Sequence, residues 1–276
     1  MSAPHSPSTQ ILRFDAKDRL AHIGIVISFL GLSLTGLPLL FSHSPWSARL
    51  ARWLGGFETA GFVHRLCAGL MIAVFAWHVA RLLKRIFVEK RYSMLWGPDS
   101  LVPQPRDAVQ MFQHMAYFVR LGPRPKFDHF TYWEKFDYWA VFWGMFIIGG
   151  SGLMLWFPEF FSLFLPGWVF NIGLVIHGEE ALLATGFIFT IHFFNENLRP
   201  SRFPMNLVMF TGREELEELQ HDRPGEYERF QKAGGKGWVV APPPPSWILP
   251  WGRAFGTVAI VLGLGMLVLI LWAMAA

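Results

Sequence analysis

Five of the ten histidines in this 276-residue chain fall in or at the edges of long apolar stretches: His22, His64, His78, His177 and His192. An ionisable side chain is expensive inside a bilayer, so residues of this kind point to function. His64 and His78 are 14 residues apart, and His177 and His192 are 15 apart. At about 100° per residue, 14 steps end roughly 40° short of four turns and 15 end roughly 60° past them. Each pair therefore projects from nearly one face of its helix, about 21 Å apart along it. Imidazole suits iron, and two imidazoles that face one another across a helical bundle hold a haem. The spacing predicts two b-type haems stacked along a bundle. A lone membrane histidine is more often a proton relay, a helix–helix hydrogen bond or an interfacial group, but two matched pairs outweigh that reading.

Two haems need four axial ligands, and there are five candidates. The second and fourth apolar helices run in the same direction, so His64 and His177 share the outer level while His78 and His192 share the inner one. The first helix starts on the inner side, which puts His22 at that level too. The expected ligands are His64 with His177 on the outer haem, and His192 with either His22 or His78 on the inner haem. His5, His114, His129 and His221 lie in polar stretches and His43 in an outer loop, where solvated roles are expected.

The elements that must position these residues are apolar helices. The chain is 53% hydrophobic and only 16% charged, against roughly 25% charged for an average soluble domain. No Asp, Glu, Lys or Arg occurs between Leu20 and Ala48, Tyr138 and Pro158, or Ala254 and Ala276. Thr59 to Ala80 is broken only by Arg65, and Trp168 to Asn195 only by Glu179 and Glu180. A helix needs roughly 20 apolar residues to cross the hydrocarbon core, so five transmembrane helices are expected at 20–41, 60–82, 138–158, 169–195 and 254–275. The expected fold is all-α, an integral membrane helix bundle. It comprises a polar arm (1–19), a four-helix haem-binding core (20–210), a charged segment with a Pro-rich linker (211–253) and a fifth C-terminal transmembrane helix (254–276). The opening 19 residues are polar, and the first apolar run is too long for a signal core.

Basic residues set the expected orientation. The stretch 83–137 holds nine Lys/Arg and the stretch after the fourth helix eight, whereas the third-to-fourth connection holds none. The N-terminus and both long loops then face the cytoplasm of a bacterial inner membrane. The formal charge of +4 reflects this asymmetry and implies no nucleic-acid partner. Within the loops, Asp107 to Leu121 has the pattern of a helix lying on the membrane. Thr211 to Lys236 is charged enough for an exposed helix, and Pro242 to Pro245 form a stiff spacer. The single cysteine, Cys67, leaves no pair for a disulfide, a cysteine-held iron–sulfur cluster or covalent c-type haem.

Several polar groups surround the histidine frame. Arg65 neighbours His64 and fits either a haem propionate or snorkelling to headgroups. Glu179 and Glu180 follow His177 within a turn, where they handle quinone protons or contact Arg65 or a partner subunit. Asn195, Glu196 and Asn197 follow His192 and fit either a quinone pocket or a helix end. Gly69, Gly149, Gly150, Gly152, Gly173 and Gly186 leave room for a porphyrin, or for ordinary helix packing.

The segment FDAKDRLAHIGIVISFLGLSLTGLPL resembles the opening of the cytochrome b (gamma) subunits of respiratory formate dehydrogenases and nickel–iron hydrogenases. GFVHRLCAGLMIAVFAWH, KFDYWAVFWGMFIIGGSGLMLWFP and VIHGEEALLATGFIFTIHFFNENLRPSRFPMN are similar to the second, third and fourth helices of that family. The last block is most similar to the cytochrome b/b6-domain branch, which often accompanies periplasmic multihaem cytochromes c. The resemblance covers about 11–232. It implies a bis-histidine dihaem cytochrome b that exchanges electrons with membrane quinone. His64 and His177 match the outer ligands, and His22 and His192 the inner ones. His78 has no counterpart in the formate dehydrogenase pattern, and the fourth-helix interval is 15 residues where that pattern has 14.

The function expected is an electron-transfer subunit of a quinone-linked oxidoreductase complex, carrying two haem b. Its partners would be membrane lipid, quinone or quinol, and a periplasmic-side redox subunit, either a multihaem cytochrome c or an iron–sulfur or dehydrogenase subunit. The sequence carries no flavin, molybdenum or iron–sulfur motif of its own. A transporter or metal-ion channel lined by His and Glu, or a passive haem-containing anchor, is the competing expectation.

Overall fold

The computed structural model describes residues 9–275, so His5 and most of the polar arm's first half lie outside the described residues. The longer helices are α1 (Ala16–Leu40), α2 (Pro45–Trp53), α3 (Phe57–Val88), α4 (Pro105–Phe118), α5 (Tyr132–Trp156), α6 (Gly167–Leu198), α7 (Leu216–Asp222), α8 (Pro224–Lys232) and α9 (Ile248–Ala275). The strands are β1 (Gln10–Leu12), β2 (Arg213–Glu215) and β3 (Val240–Ala241). Five helices, α1, α3, α5, α6 and α9, are long and apolar enough to cross a membrane, and the chain is a multi-pass membrane protein. They outrun the predicted spans, because hydropathy marks only the lipid-facing part and a helix continues through residues that suit the headgroup level. α3 thus runs on to Val88 and α5 starts at Tyr132. Asp15 caps α1 by accepting the Asp18 backbone N–H at 2.8 Å.

The contacts divide the chain into two units. One holds 20–79, 141–206 and 250–276. Its polarity is inverted relative to a soluble protein: Ser28, Ser33, Thr35 and Thr185 are buried, while Phe62, Leu66, Trp77, Val261 and Leu271 face outward. Lipid solvates apolar side chains as well as a core does, so small and hydroxylated residues mark the helix–helix seams. α1 and α3 show this directly. A Cβ on Gly24 would lie 2.9 Å from Val74, one on Gly31 would lie 2.5 Å from the Cys67 sulfur, and one on Gly36 would lie 3.1 Å from the His64 ring. The pairs advance in opposite directions along the two helices, an antiparallel glycine seam. α9 belongs to the same packing, with Met266 and Ile270 in a cluster with Phe189, Phe193, Leu37 and Trp46. A Cβ on Gly263 would meet the rings of Phe189 and Phe193.

The other unit gathers the described residues up to 19, with 80–140 and 207–249. The chain is mostly helical, as expected of an all-α bundle, and this unit adds a small sheet ordered β2-β1-β3, in which β1 pairs antiparallel with both β2 and β3. Strands of two or three residues carry no readable alternation. The expected exposed helix in Thr211 to Lys236 is corrected: Pro224 divides it into α7 and α8, and Glu214, Leu219, Asp222, Arg223 and Glu226 are buried. The burial is ionic. Arg13 contacts Glu214 at 3.2 Å and Glu226 at 3.3 Å, and Arg223 contacts Glu214 and Glu134 at 2.6 Å each. Burial alone would raise the Glu226 pKa, but the His129 hydrogen bond and the charges of His129, Arg13 and Arg223 hold it well below the usual glutamate range. Burial disfavours the Arg223 charge, and Glu134, Glu214 and Glu226 more than reverse that, so the guanidinium stays protonated.

α4 realises the predicted helix of the 107–121 stretch, with Gln104 and Asp107 forming a capping box. Its Val109, Phe112, Met115 and Phe118 are exposed together, while Asp107 turns inward to Lys135 at 2.8 Å. Two of the histidines expected to be solvated are not. His114 is buried, enclosed by Phe118, Phe127, Tyr132 and Trp133. His129 bonds Glu226 at 2.6 Å. Polar sequence context misled at both, because the surrounding chain folds back over them.

Candidate functional site

His64 on α3 and His177 on α6 face one another, with ring centroids 6.2 Å apart and ring planes at 77°. Each ring is fixed through Nδ1. His177 Nδ1 donates to the Ile148 carbonyl at 2.9 Å, with Ser151 Oγ at 3.3 Å. His64 Nδ1 lies 3.0 Å from Thr35 Oγ1, whose own hydroxyl donates to the Gly31 carbonyl at 2.6 Å. With its proton committed there, Thr35 accepts from the imidazole. Both histidines therefore carry their proton on Nδ1 and present an unprotonated Nε2, the form in which imidazole binds a metal.

Local helix geometry makes this arrangement. α5 opens into a π turn at Met145–Gly149, loosening the carbonyl ladder beside the Ile148 oxygen that His177 uses. Gly152, one turn on, lies beneath the His177 ring: a Cβ there would come 2.9 Å from Cε1. Gly36 does the same for His64 at 3.1 Å. Both rings thus rest on helix backbone that only glycine leaves bare. Gly152 is among the glycines expected to make room; Gly36 is not.

α6 carries a π turn at Ile188–His192, between its two histidines. A π turn takes up one more residue than an α turn, so the 15-residue interval turns about as far as 14 would in an unbroken α-helix. His192 closes that π turn, and His22 lies in the second turn of α1. His78 is placed against α5, edge-on to Phe142 at 6.4 Å.

The surrounding polar residues divide. Arg65 is exposed and makes no ion pair among the described residues, so the contact considered with Glu179 or Glu180 is not formed. Glu180 accepts a 3.4 Å hydrogen bond from Trp143 Nε1, and Glu179 is exposed. Glu196 accepts from Asn206 Nδ2 at 3.0 Å, and Asn197 Oδ1 from the Asn206 backbone at 3.4 Å, which ties the end of α6 to the chain leaving it. Asn195 is half-buried beside them. Of the glycines expected to make room, Gly69, Gly150 and Gly186 have open space where a Cβ would stand, whereas Gly173 packs on Met154 and Gly149 on Met145.

Among the described residues no group of three or more His, Cys, Asp or Glu side chains converges to hold a bare metal ion. A macrocycle that brings four nitrogens of its own needs only two axial ligands. Imidazole nitrogen sits about 2.0–2.1 Å from a first-row metal, and a ring centre lies about 1.1 Å beyond its nitrogen, so two axial imidazoles on one metal have centres about 6.3 Å apart. The His64–His177 separation of 6.2 Å fits that requirement. Rotation about either nitrogen–metal bond preserves ligation, so the 77° between planes is no obstacle. No protein-family model matches the chain, and no curated protein matches it.

Proposed function

We propose that this chain is a membrane dihaem cytochrome b subunit, passing electrons between a redox partner at the outer face and the membrane quinone pool. The observation that carries the reading is the facing pair His64 and His177, 6.2 Å between centroids with both Nδ1 positions tied down. Haem b, when bound, supplies a one-electron Fe(III)/Fe(II) couple. The protein's part is to fix ligation and tautomer. Thr35 and Ile148 hold the two protons on Nδ1, Gly36 and Gly152 leave the rings room, and apolar helix walls keep water away. His22 and His192 would form the second ligand pair, with the π turn of α6 ending at His192. His78 is then an aromatic-packed residue outside the ligand set. Asn195, Glu196 and Asn197, beside that inner pair, bind the quinone and handle its protons. Arg65, on the helix that carries His64, would neutralise a propionate of the outer haem, and Glu179 and Glu180, on the helix that carries His177, would meet the partner.

The N-terminus and the basic stretches lie in the cytoplasm of a bacterial inner membrane. Quinol added anaerobically to the purified full chain should reduce the haems and raise a b-type alpha band. Haems that respond to dithionite and never to quinol would leave only the passive-anchor reading.

A further inference from the structure

A cleft of about 440 Å³ opens beside the start of α1 and the end of α3. Lys17, Arg81, Lys84, Arg85 and Arg91 line it, against the carboxylates of Asp15 and Glu89, so cations exceed anions by three. The charges are not equivalent. Arg81 and Arg85 are committed to Asp15 at 3.1 and 2.7 Å and to Asp18 at 3.0 and 3.5 Å. Arg91 pairs with Glu89 at 3.0 Å. Lys17 and Lys84 are exposed and form no ion pair among the described residues, so the four arginine–aspartate bridges form the floor and the two lysines supply unspent charge.

Depth favours one kind of ligand. The uncharged run of α1 begins at Leu20, three residues after Lys17. On α3, Leu83, Phe87 and Val88 are exposed on either side of Lys84 and Arg85. Cations at the end of an apolar span, flanked by outward apolar side chains, are suited to a phosphate with acyl chains attached. Basic pockets at this level of a membrane protein recognise anionic headgroups. We propose that this cleft binds a phosphate group carried by an anionic phospholipid, with Lys17 and Lys84 contacting the phosphate oxygens and the Arg81–Arg85 pair shaping the floor.

The test is thermal melting of the full chain in neutral detergent, titrated with phosphatidylglycerol, phosphatidylcholine or inorganic phosphate. Phosphatidylglycerol should raise the melting temperature saturably, and phosphatidylcholine and inorganic phosphate should not. In K17A/K84A the melting temperature without lipid should match wild type, while the apparent affinity for phosphatidylglycerol should fall roughly 30-fold, about tenfold or less per lost cation. K17R/K84R should keep most of the response. Equal shifts from both lipids, or an unchanged phosphatidylglycerol response in K17A/K84A, would overturn the proposal. A response to inorganic phosphate equal to that of the lipid would overturn the lipid as its source.

Discussion

The imidazole of His177 lies so close to Gly152 that a Cβ on that glycine would stand 2.9 Å from ring atom Cε1. Helix α5 therefore serves the histidine twice, with a bare patch beneath the ring and the Ile148 carbonyl on its Nδ1 at 2.9 Å. A side chain at this position must move the ring or the helix.

Gly152→Ala should accordingly displace His177 and cost about 1–3 kcal/mol of packing strain, with loss or altered ligation of one haem. Gly150→Ala, two residues away where a Cβ meets open space, should leave haem content and melting unchanged. Haem per chain, read by pyridine haemochrome alongside the optical spectrum of each variant, separates the two.

His64→Ala and His177→Ala should each remove the same single haem, and His192→Ala the other. His22→Ala should behave as His192→Ala does, and His78→Ala should retain both haems. Loss of a haem in His78→Ala with retention in His22→Ala would reverse the inner assignment.

Thr35→Val removes the acceptor of His64 Nδ1–H while keeping the side-chain volume. An imidazole without that hydrogen bond is a weaker base, so the ferric state loses stabilisation and the midpoint potential of one haem should rise. Redox titration of the variant checks this, with haem content expected near wild type.

Arg223→Leu leaves Glu134 and Glu214 without their 2.6 Å partner. Breaking a buried pair from one side costs about 3–5 kcal/mol, and thermal melting should show it. The same cluster predicts acid sensitivity. Glu226 titrates below the ordinary glutamate value of 4.5 in the folded protein. Its stabilisation is thus complete above that value and is lost as pH falls below it toward the depressed folded value. Glu226→Gln should reduce the pH dependence of melting in that range.

Much of the helical frame was legible from the chain alone. Five apolar runs became five long helices, and the 14-residue interval between His64 and His78 is ordinary helical arithmetic. The 15-residue interval between His177 and His192 could not be interpreted on the same terms, because a π turn is set by tertiary packing and leaves no periodic mark. Gly24, Gly31 and Gly36 carry no mark in the sequence either, since each is explained by Val74, Cys67 or His64 on another helix. The polar unit was the least legible. Its strands are too short to show a pattern, and the charges of Glu214, Arg223 and Glu226 suggest solvent until their partners from distant segments are placed beside them.

The most direct measurement is the haem content of the purified full chain, by pyridine haemochrome against protein concentration. Two haem b per chain are predicted, with one lost in His64→Ala. A colourless protein with no haemochrome, folded and expressed with an adequate haem supply, would contradict the cytochrome reading.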